Sequence, residues 1–210
     1  MIDHVVFAGS DLGRAATRIT QLLGVMPTPG GSHVGKGTRN ELLSLGGTTY
    51  LEVIGPDPDQ PEPAEPRPFG VDRRVEPALV AWCARPLRPL ADIITEARAH
   101  GIEFGGVSSM SRQRPDGLLL RWTLTAAQLD GPLGCALPFL IDWGDSPHPT
   151  EALPAAARLL DLEIHTPQVP AISTALDIIG ITSGCSVRHG ERPSLTAHIA
   201  IEGGEVTLSG

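Results

Sequence analysis

The sequence predicts an α+β protein assembled from a repeated unit of one strand, one helix and three further strands. Two observations carry that expectation. Three amphipathic helices end at glycines of nearly equal spacing, Gly24, Gly101 and Gly180, and after each helix the apolar period changes from 3.6 to 2. A third supports it: a strand-like run precedes every helix, at Ile2 to Phe7, Leu79 to Ala84 and Leu159 to Ile164.

The first helix, expected near residues 11–23, follows the capping pair Ser10-Asp11 and carries Leu12, Ala15, Ala16, Ile19, Leu22 and Leu23 on one face. The second, near 89–100, opens at Pro89, a favoured early helix position, and carries Leu90, Ile93, Ile94 and Ala97. The third, near 170–179, carries Ile172, Ala175, Leu176 and Ile179. In the first copy the helix is followed by Gly30 to Val34, by Glu41 to Leu45 and, after a Gly46-Gly47 turn, by Tyr50 to Ile54. The second copy offers Phe104 to Met110, Leu118 to Leu124 and Phe139 to Trp143. In the third the 180s are weakly patterned, but Leu195 to Ile201, a Gly203-Gly204 turn and Val206 to Leu208 repeat the final hairpin of the first copy.

The expected division is a first module at 1–56, a Pro/acidic linker at 57–77, a second module at 78–145, and a third, incomplete module at 155–210 packed on the others. Pro56 to Pro68 alternates proline with acidic residues and supplies neither a ladder nor a helix, so it reads as an extended surface connector, as does the shorter Asp145 to Pro154.

Composition narrows the classes of partner. Apolar residues make up 41% and charged residues 19%, an ordinary globular balance, while 20 prolines and 24 glycines call for many short elements. The formal charge of −8 and the single lysine, Lys36, exclude a continuous basic face for a phosphate backbone. Cys83, Cys135 and Cys185 have neither the even number of a disulfide framework nor a C-x-x-C spacing, which fits a reducing compartment. No basic leader and no long apolar run precede the first strand, so a cytoplasmic protein without a membrane span is expected.

The segments Ile2-Asp3-His4-Val5-Val6, Gly31-Ser32-His33-Val34-Gly35-Lys36-Gly37-Thr38-Arg39-Asn40 and Tyr50-Leu51-Glu52-Val53-Ile54, in that order, resemble the glyoxalase-like domain family of the vicinal-oxygen-chelate superfamily. The resemblance is strongest over residues 1–56 and weakest beyond 145. It implies βαβββ modules of the glyoxalase/dioxygenase kind, with curved, mostly antiparallel sheets, helices on the outer face, and the first and last strands of a module side by side.

Strand parity places His4 with Ile2 and Val6, and Glu52 with Tyr50 and Ile54, while Leu51 and Val53 turn towards the helix. Together with the family's neighbour relation, this brings His4 and Glu52 to one concave face as half of a divalent-metal site open to a substrate's paired oxygens. Glu52 is the candidate for ligation and for proton transfer. His33, Lys36, Thr38, Asn40 and Tyr50 are the candidate substrate contacts, with His33 expected at the cavity rim; each of the loop residues would equally serve a solvated turn. Trp122 and Trp143 are candidates for lining the cavity or for ordinary core, as is Trp82.

The second copy departs from the pattern. Its first strand has no histidine at the matching place, Ile141 stands opposite Glu52, and Asp142 is one residue out of register, which reverses its face. The leading functional expectation is therefore a divalent-metal-dependent lyase, isomerase or dioxygenase acting on a small oxygenated metabolite. The alternative is a metal-independent binding or sequestering protein on the same scaffold, and a possible homodimer leaves open whether modules pair within or between chains. The acidic balance generates the first prediction: a gel-shift titration at moderate salt shows no saturable binding of DNA or RNA, and tight binding there would contradict it.

Overall fold

A computed structural model describes residues 1–114 and 116–210. The elements run β1 (Ile2–Ala8), α1 (Leu12–Leu23), β2 (Thr28–His33), β3 (Thr38–Ser44), β4 (Tyr50–Pro56), β5 (Ala78–Ala84), α2 (Leu90–Ala99), β6 (Val107–Gln113), β7 (Leu119–Thr125), β8 (Phe139–Asp142), β9 (Arg158–Thr166), α3 (Val169–Ile179), β10 (Cys185–His189), β11 (Ser194–Ile201) and β12 (Gly204–Ser209). The helix bounds lie within a residue of those read from periodicity. Asp11 caps α1 by accepting from the Arg14 amide, and Gly24 ends it in the left-handed conformation at φ 72°.

The eight strands of the first two copies close into a barrel in the order β1-β4-β3-β2-β6-β7-β8-β5. Within each copy the first strand lies parallel to the last, β1 beside β4 and β5 beside β8. Between copies the seams are antiparallel, β1 with β5 and β2 with β6. Both copies thus pair within one chain, and the barrel interior is enclosed without a second molecule.

Residues 158–209 also hold one strand, one helix and three strands, because the weakly patterned 180s form β10. Their sheet is ordered differently, β10-β9-β11-β12. Here β9 pairs in parallel with β10 directly across α3, and β11 lies on its other side, so the third copy repeats the order of elements without the pairing that closes the barrel.

Two apolar layers result. The outer one joins the outward faces of the barrel strands to the helices and the third sheet, through Val5, Ile19, Leu51, Val53, Trp82, Ile93, Leu162, Ile172 and Leu195. The inner one fills the barrel with Val6, Leu42, Tyr50, Ile54, Leu120, Trp122, Phe139, Ile141 and Trp143. Leu51 and Val53 pack outwards as parity requires. Ile2 does not share the face of His4: it joins the outer layer, because Asp3 is an extra residue between the pairs Ile2↔Ala84 and His4↔Cys83. Such a bulge resets the alternation, and consecutive side chains Asp3 and His4 reach one another. No described helix is long and apolar enough to cross a membrane.

Trp82 is fully buried in the outer layer, and its indole N–H donates to the Ala136 carbonyl at 3.2 Å. Replacing it with alanine removes the largest side chain between barrel and helices. Trp82→Ala is expected to cost about 3–5 kcal/mol in urea unfolding followed by circular dichroism; a loss below about 1 kcal/mol would mean that this layer does not hold the barrel.

Candidate functional site

The barrel encloses a cavity of about 530 Å³. His4, His33, Asn40, Tyr50 and Glu52 of the first copy form one wall, and Arg112, Trp122, Phe139, Ile141 and Trp143 of the second form the other. The polar and aromatic halves follow from the parity of two sets of strands that share a backbone plan and differ in side chains.

β1 and β4 are neighbours with Val6 opposite Glu52, which places His4 and Glu52 diagonally on the inner face. The Asp3 carboxylate can only accept, so His4 turns its Nδ1–H to it, at 2.8 Å. His4 Nε2 then faces Glu52 Oε2 at 3.7 Å, beyond hydrogen-bond distance. Tyr50 stacks on the His4 ring at a centroid distance of 4.6 Å. Burial, with the nearby Asp3 and Glu52 charges, pushes the Tyr50 hydroxyl well above its usual range, so it remains a phenol.

Asp3 is fully buried and also receives the Trp143 indole N–H at 3.1 Å and His148 Nε2–H at 3.2 Å, with Arg85 Nε at 3.5 Å. Burial alone would raise its carboxyl; hydrogen bonds from His148 and His4 outweigh that and hold it below the usual carboxylate range.

The other Glu52 oxygen, Oε1, accepts from Asn40 Nδ2 at 2.6 Å. The same amide nitrogen donates to His33 Nε2 at 3.2 Å, and Asn40 Oδ1 accepts from Arg112 Nη1 at 3.1 Å. With Nε2 accepting, His33 holds its proton on Nδ1 and donates it to Thr38 Oγ1 at 3.1 Å. Burial, partly opposed by Glu52, lowers the His33 pKa and keeps the ring neutral. Gly30 is required beside this network, since a Cβ there would run into Arg112 Nη1 and Asn40 Oδ1.

Most of the residues singled out from sequence therefore meet. His4, Glu52, Tyr50 and Asn40 converge inside the barrel, and Lys36 lines the cavity from the β2–β3 turn. His33 is the buried last residue of β2, in the wall and not at the rim, because β2 continues through the glycine-rich stretch. Thr38 stands behind His33 and away from the cavity, fully buried. Trp122 and Trp143 line the cavity, whereas Trp82 belongs to the outer layer. Asp142 points out and caps the Gly144 amide.

Sequence reasoning missed Arg112, Asp3 as a holder of His4, and His148. Arg112 sits in a polar strand whose serines hide its inward parity; it pairs with His33 across the seam of the copies, and that contact lies 79 positions away in sequence. The proline-rich segment is more than a surface connector. Pro63 to Phe69 cover the cavity, pinned by Arg67, whose Nε–H donates to the Gly37 carbonyl at 2.8 Å and whose Nη groups bond Glu62 and Asp72. The second connector brings His148 to Asp3.

Whether these residues suit a divalent cation depends on the donor set. His4 Nε2 and Glu52 Oε2 are two electron-pair donors that face one another without an intervening proton, and each is fixed from behind, by Asp3 and Asn40. They fit two positions of an ion. The second copy presents Ile141 and Phe139 there, so further positions would fall to water or to ligand oxygens. Asp3, His4 and Cys83 also form a group with one potential donor atom each within 4.8 Å of one another. It is a poor set, because His4 Nδ1 is bound to Asp3 and burial pushes the Cys83 thiol well up, so it stays protonated.

The chain matches the family model described as "Glyoxalase-like domain" over residues 2–179. No functionally curated protein matches the sequence. Among solved structures, a hypothetical protein from Staphylococcus aureus overlays with a TM-score of 0.62 at 13% identity, covering 99% of this chain and 84% of the other; this is a likeness of fold. Looser overlays are found with methylmalonyl-CoA epimerase from Mycobacterium tuberculosis, at TM-score 0.43, 18% identity and coverages of 72% and 91%, and with a triple mutant of 4-hydroxymandelate synthase from Streptomyces coelicolor, at 0.44, 14%, 99% and 62%.

All three thiols are raised by burial, Cys185 to about 11 from an ordinary 9.0. A raised thiol loses its thiolate below the folded value, so at pH 8 Cys185 should react with iodoacetamide about a hundred-fold more slowly in the native protein than in urea, by the thiolate fraction alone. The rate should climb as pH rises past 9 towards 11. Mass spectrometry showing native labelling at the unfolded rate at pH 8 would contradict this.

Proposed function

The chain belongs to the glyoxalase-like domain family, and on that footing we propose that its barrel binds a small oxygenated metabolite and that Glu52 transfers a proton in an isomerase- or lyase-type reaction. The observation that carries the reading is the apposition of His4 Nε2 and Glu52 Oε2 at 3.7 Å on a cavity wall, both aimed at one point and both held from behind. A ligand oxygen or acidic C–H at that point meets a base whose second oxygen is anchored by Asn40 and so cannot swing away. A neutral His33 adds no competing positive charge beside Glu52.

Glu52 Oε2 has one role at a time: with His4 Nε2 it would hold a divalent ion, which would polarise a carbonyl or enolate oxygen when bound, and it would be the base once a ligand oxygen has taken its place. The residues of the chain do the rest. Asp3 fixes the His4 tautomer, Tyr50 fixes the ring plane by stacking, and the covering segment at Pro63 to Phe69 shields the reacting point from water.

A second reading, a metal-independent binding protein on the same scaffold, draws support from the apolar Ile141 and Phe139 opposite the pair. Metal analysis separates the two. Protein purified without a chelating tag and incubated with Mn²⁺, Co²⁺ or Zn²⁺ should retain about one equivalent after gel filtration, and His4→Ala and Glu52→Ala should each retain almost none while keeping the wild-type circular dichroism spectrum. Equal metal content in wild type and both variants would sink the metal-dependent reading and leave the binding protein.

A further inference from the structure

The cavity contains a buried cation that the His4–Glu52 pair does not explain. Arg112 is 3% exposed, lines the cavity from β6, and spends one of its five N–H groups on Asn40 Oδ1. No other hydrogen bond of its guanidinium is found among the described residues, yet none of its nitrogens is sealed from access without a partner. Arg112 borders two cavities, this one and a smaller one of about 200 Å³ beside Gly30, Leu42 and Arg114; in the larger, a planar acceptor can meet its remaining N–H groups by two parallel hydrogen bonds. A buried guanidinium without an acceptor is costly, and the network around it supplies only an amide oxygen in direct contact.

The surroundings narrow the acceptor. Glu52 lies one amide away, through Asn40, and Lys36 and Glu65, which also line the cavity, offset one another in charge, so a dianion on Arg112 would exceed the one guanidinium it binds whereas a monoanion is matched. On the same side, Met110, Trp122, Phe139, Ile141 and Trp143 offer an apolar, largely aromatic surface within about 530 Å³. We infer that the cavity takes a small monocarboxylic acid with an aromatic or other apolar body, its carboxylate paired with Arg112 and its body against Trp122 and Phe139. This names the class of ligand for the cavity of the proposed function and does not depend on a metal ion.

Trp122 and Trp143 give the readout. Tryptophan fluorescence is titrated with phenylacetate and 3-phenylpropionate and with their neutral amides, all in excess EDTA, so that an acid preference belongs to the protein's own groups and not to an ion on His4 and Glu52. The acids should quench saturably and bind about ten-fold or more tighter than the amides. Arg112→Lys should lose most of that preference and Arg112→Gln all of it, with amide binding within about two-fold of wild type; Lys36→Ala should keep it. Because the acid–amide comparison on the wild-type protein needs no variant, a folding defect at Arg112 does not blunt the test. Equal binding of acids and amides, an absence of saturable quenching by both acids, or an acid preference retained in Arg112→Gln would each overturn the assignment. Displacement of phenylacetate by inorganic phosphate at equal concentration would overturn the choice of carboxylate. The acid preference stands even if His4 and Glu52 retain no metal, so the two readings fail separately.

Discussion

The Asp3 carboxylate lies where β1 bulges, beyond the reach of solvent, and His4, Trp143, His148 and Arg85 all turn towards it. A bare carboxylate at that depth would be very costly, and removing any one donor would leave part of the cost uncovered. The groups that supply the donors come from β1, from the residue following β8, from the connector after it and from the residue following β5. One buried charge thus binds the first copy to the second at the seam and sets the orientation of His4. The bulge that makes this possible is a single extra residue, and without it Asp3 would face the outer apolar layer, away from these four partners.

The barrel illustrates how a duplicated backbone plan can separate function between its halves. β4 and β8 occupy matching places, yet one presents Glu52 inwards and the other Ile141. The first copy carries the hydrogen-bonded chain from Thr38 through His33, Asn40 and Glu52, and the second contributes aromatic surface and one guanidinium. A ligand lying across the interior meets a polar end and an apolar end, an arrangement suited to orienting an amphiphilic small molecule. Asn40 links the halves: its amide is used on both sides, donating to Glu52 and His33 and accepting from Arg112. Such a fully used amide has one orientation, which in turn restricts the Glu52 and Arg112 rotamers.

The third copy shows that order of elements does not dictate pairing. Its β9 takes β10 and β11 as neighbours, whereas β1 takes β4 and β5. With a strand on both sides inside its own sheet, β9 has no edge to offer a barrel, and the unit instead lays its apolar face on the outer layer.

Local periodicity determined the helices and most strands, because each copy must bury one face of its helix and one face of its sheet, and that need is written at 3.6- and 2-residue spacing within a few neighbours. The parity of β4, and with it the inward aim of Glu52 and Tyr50 and the outward aim of Leu51 and Val53, was legible for the same reason. What needed the tertiary structure was every feature resting on contacts across the seam of the two copies: the bulge that parts Ile2 from His4, the closure of both copies into one barrel, the place of Arg112 beside Asn40, and His148 against Asp3. A bulge leaves no mark on composition, and a buried arginine in a serine-rich strand has the pattern of an exposed one. Only closure of the barrel decides which face of that strand is inside, since the partner that settles it, His33, is supplied by a different copy.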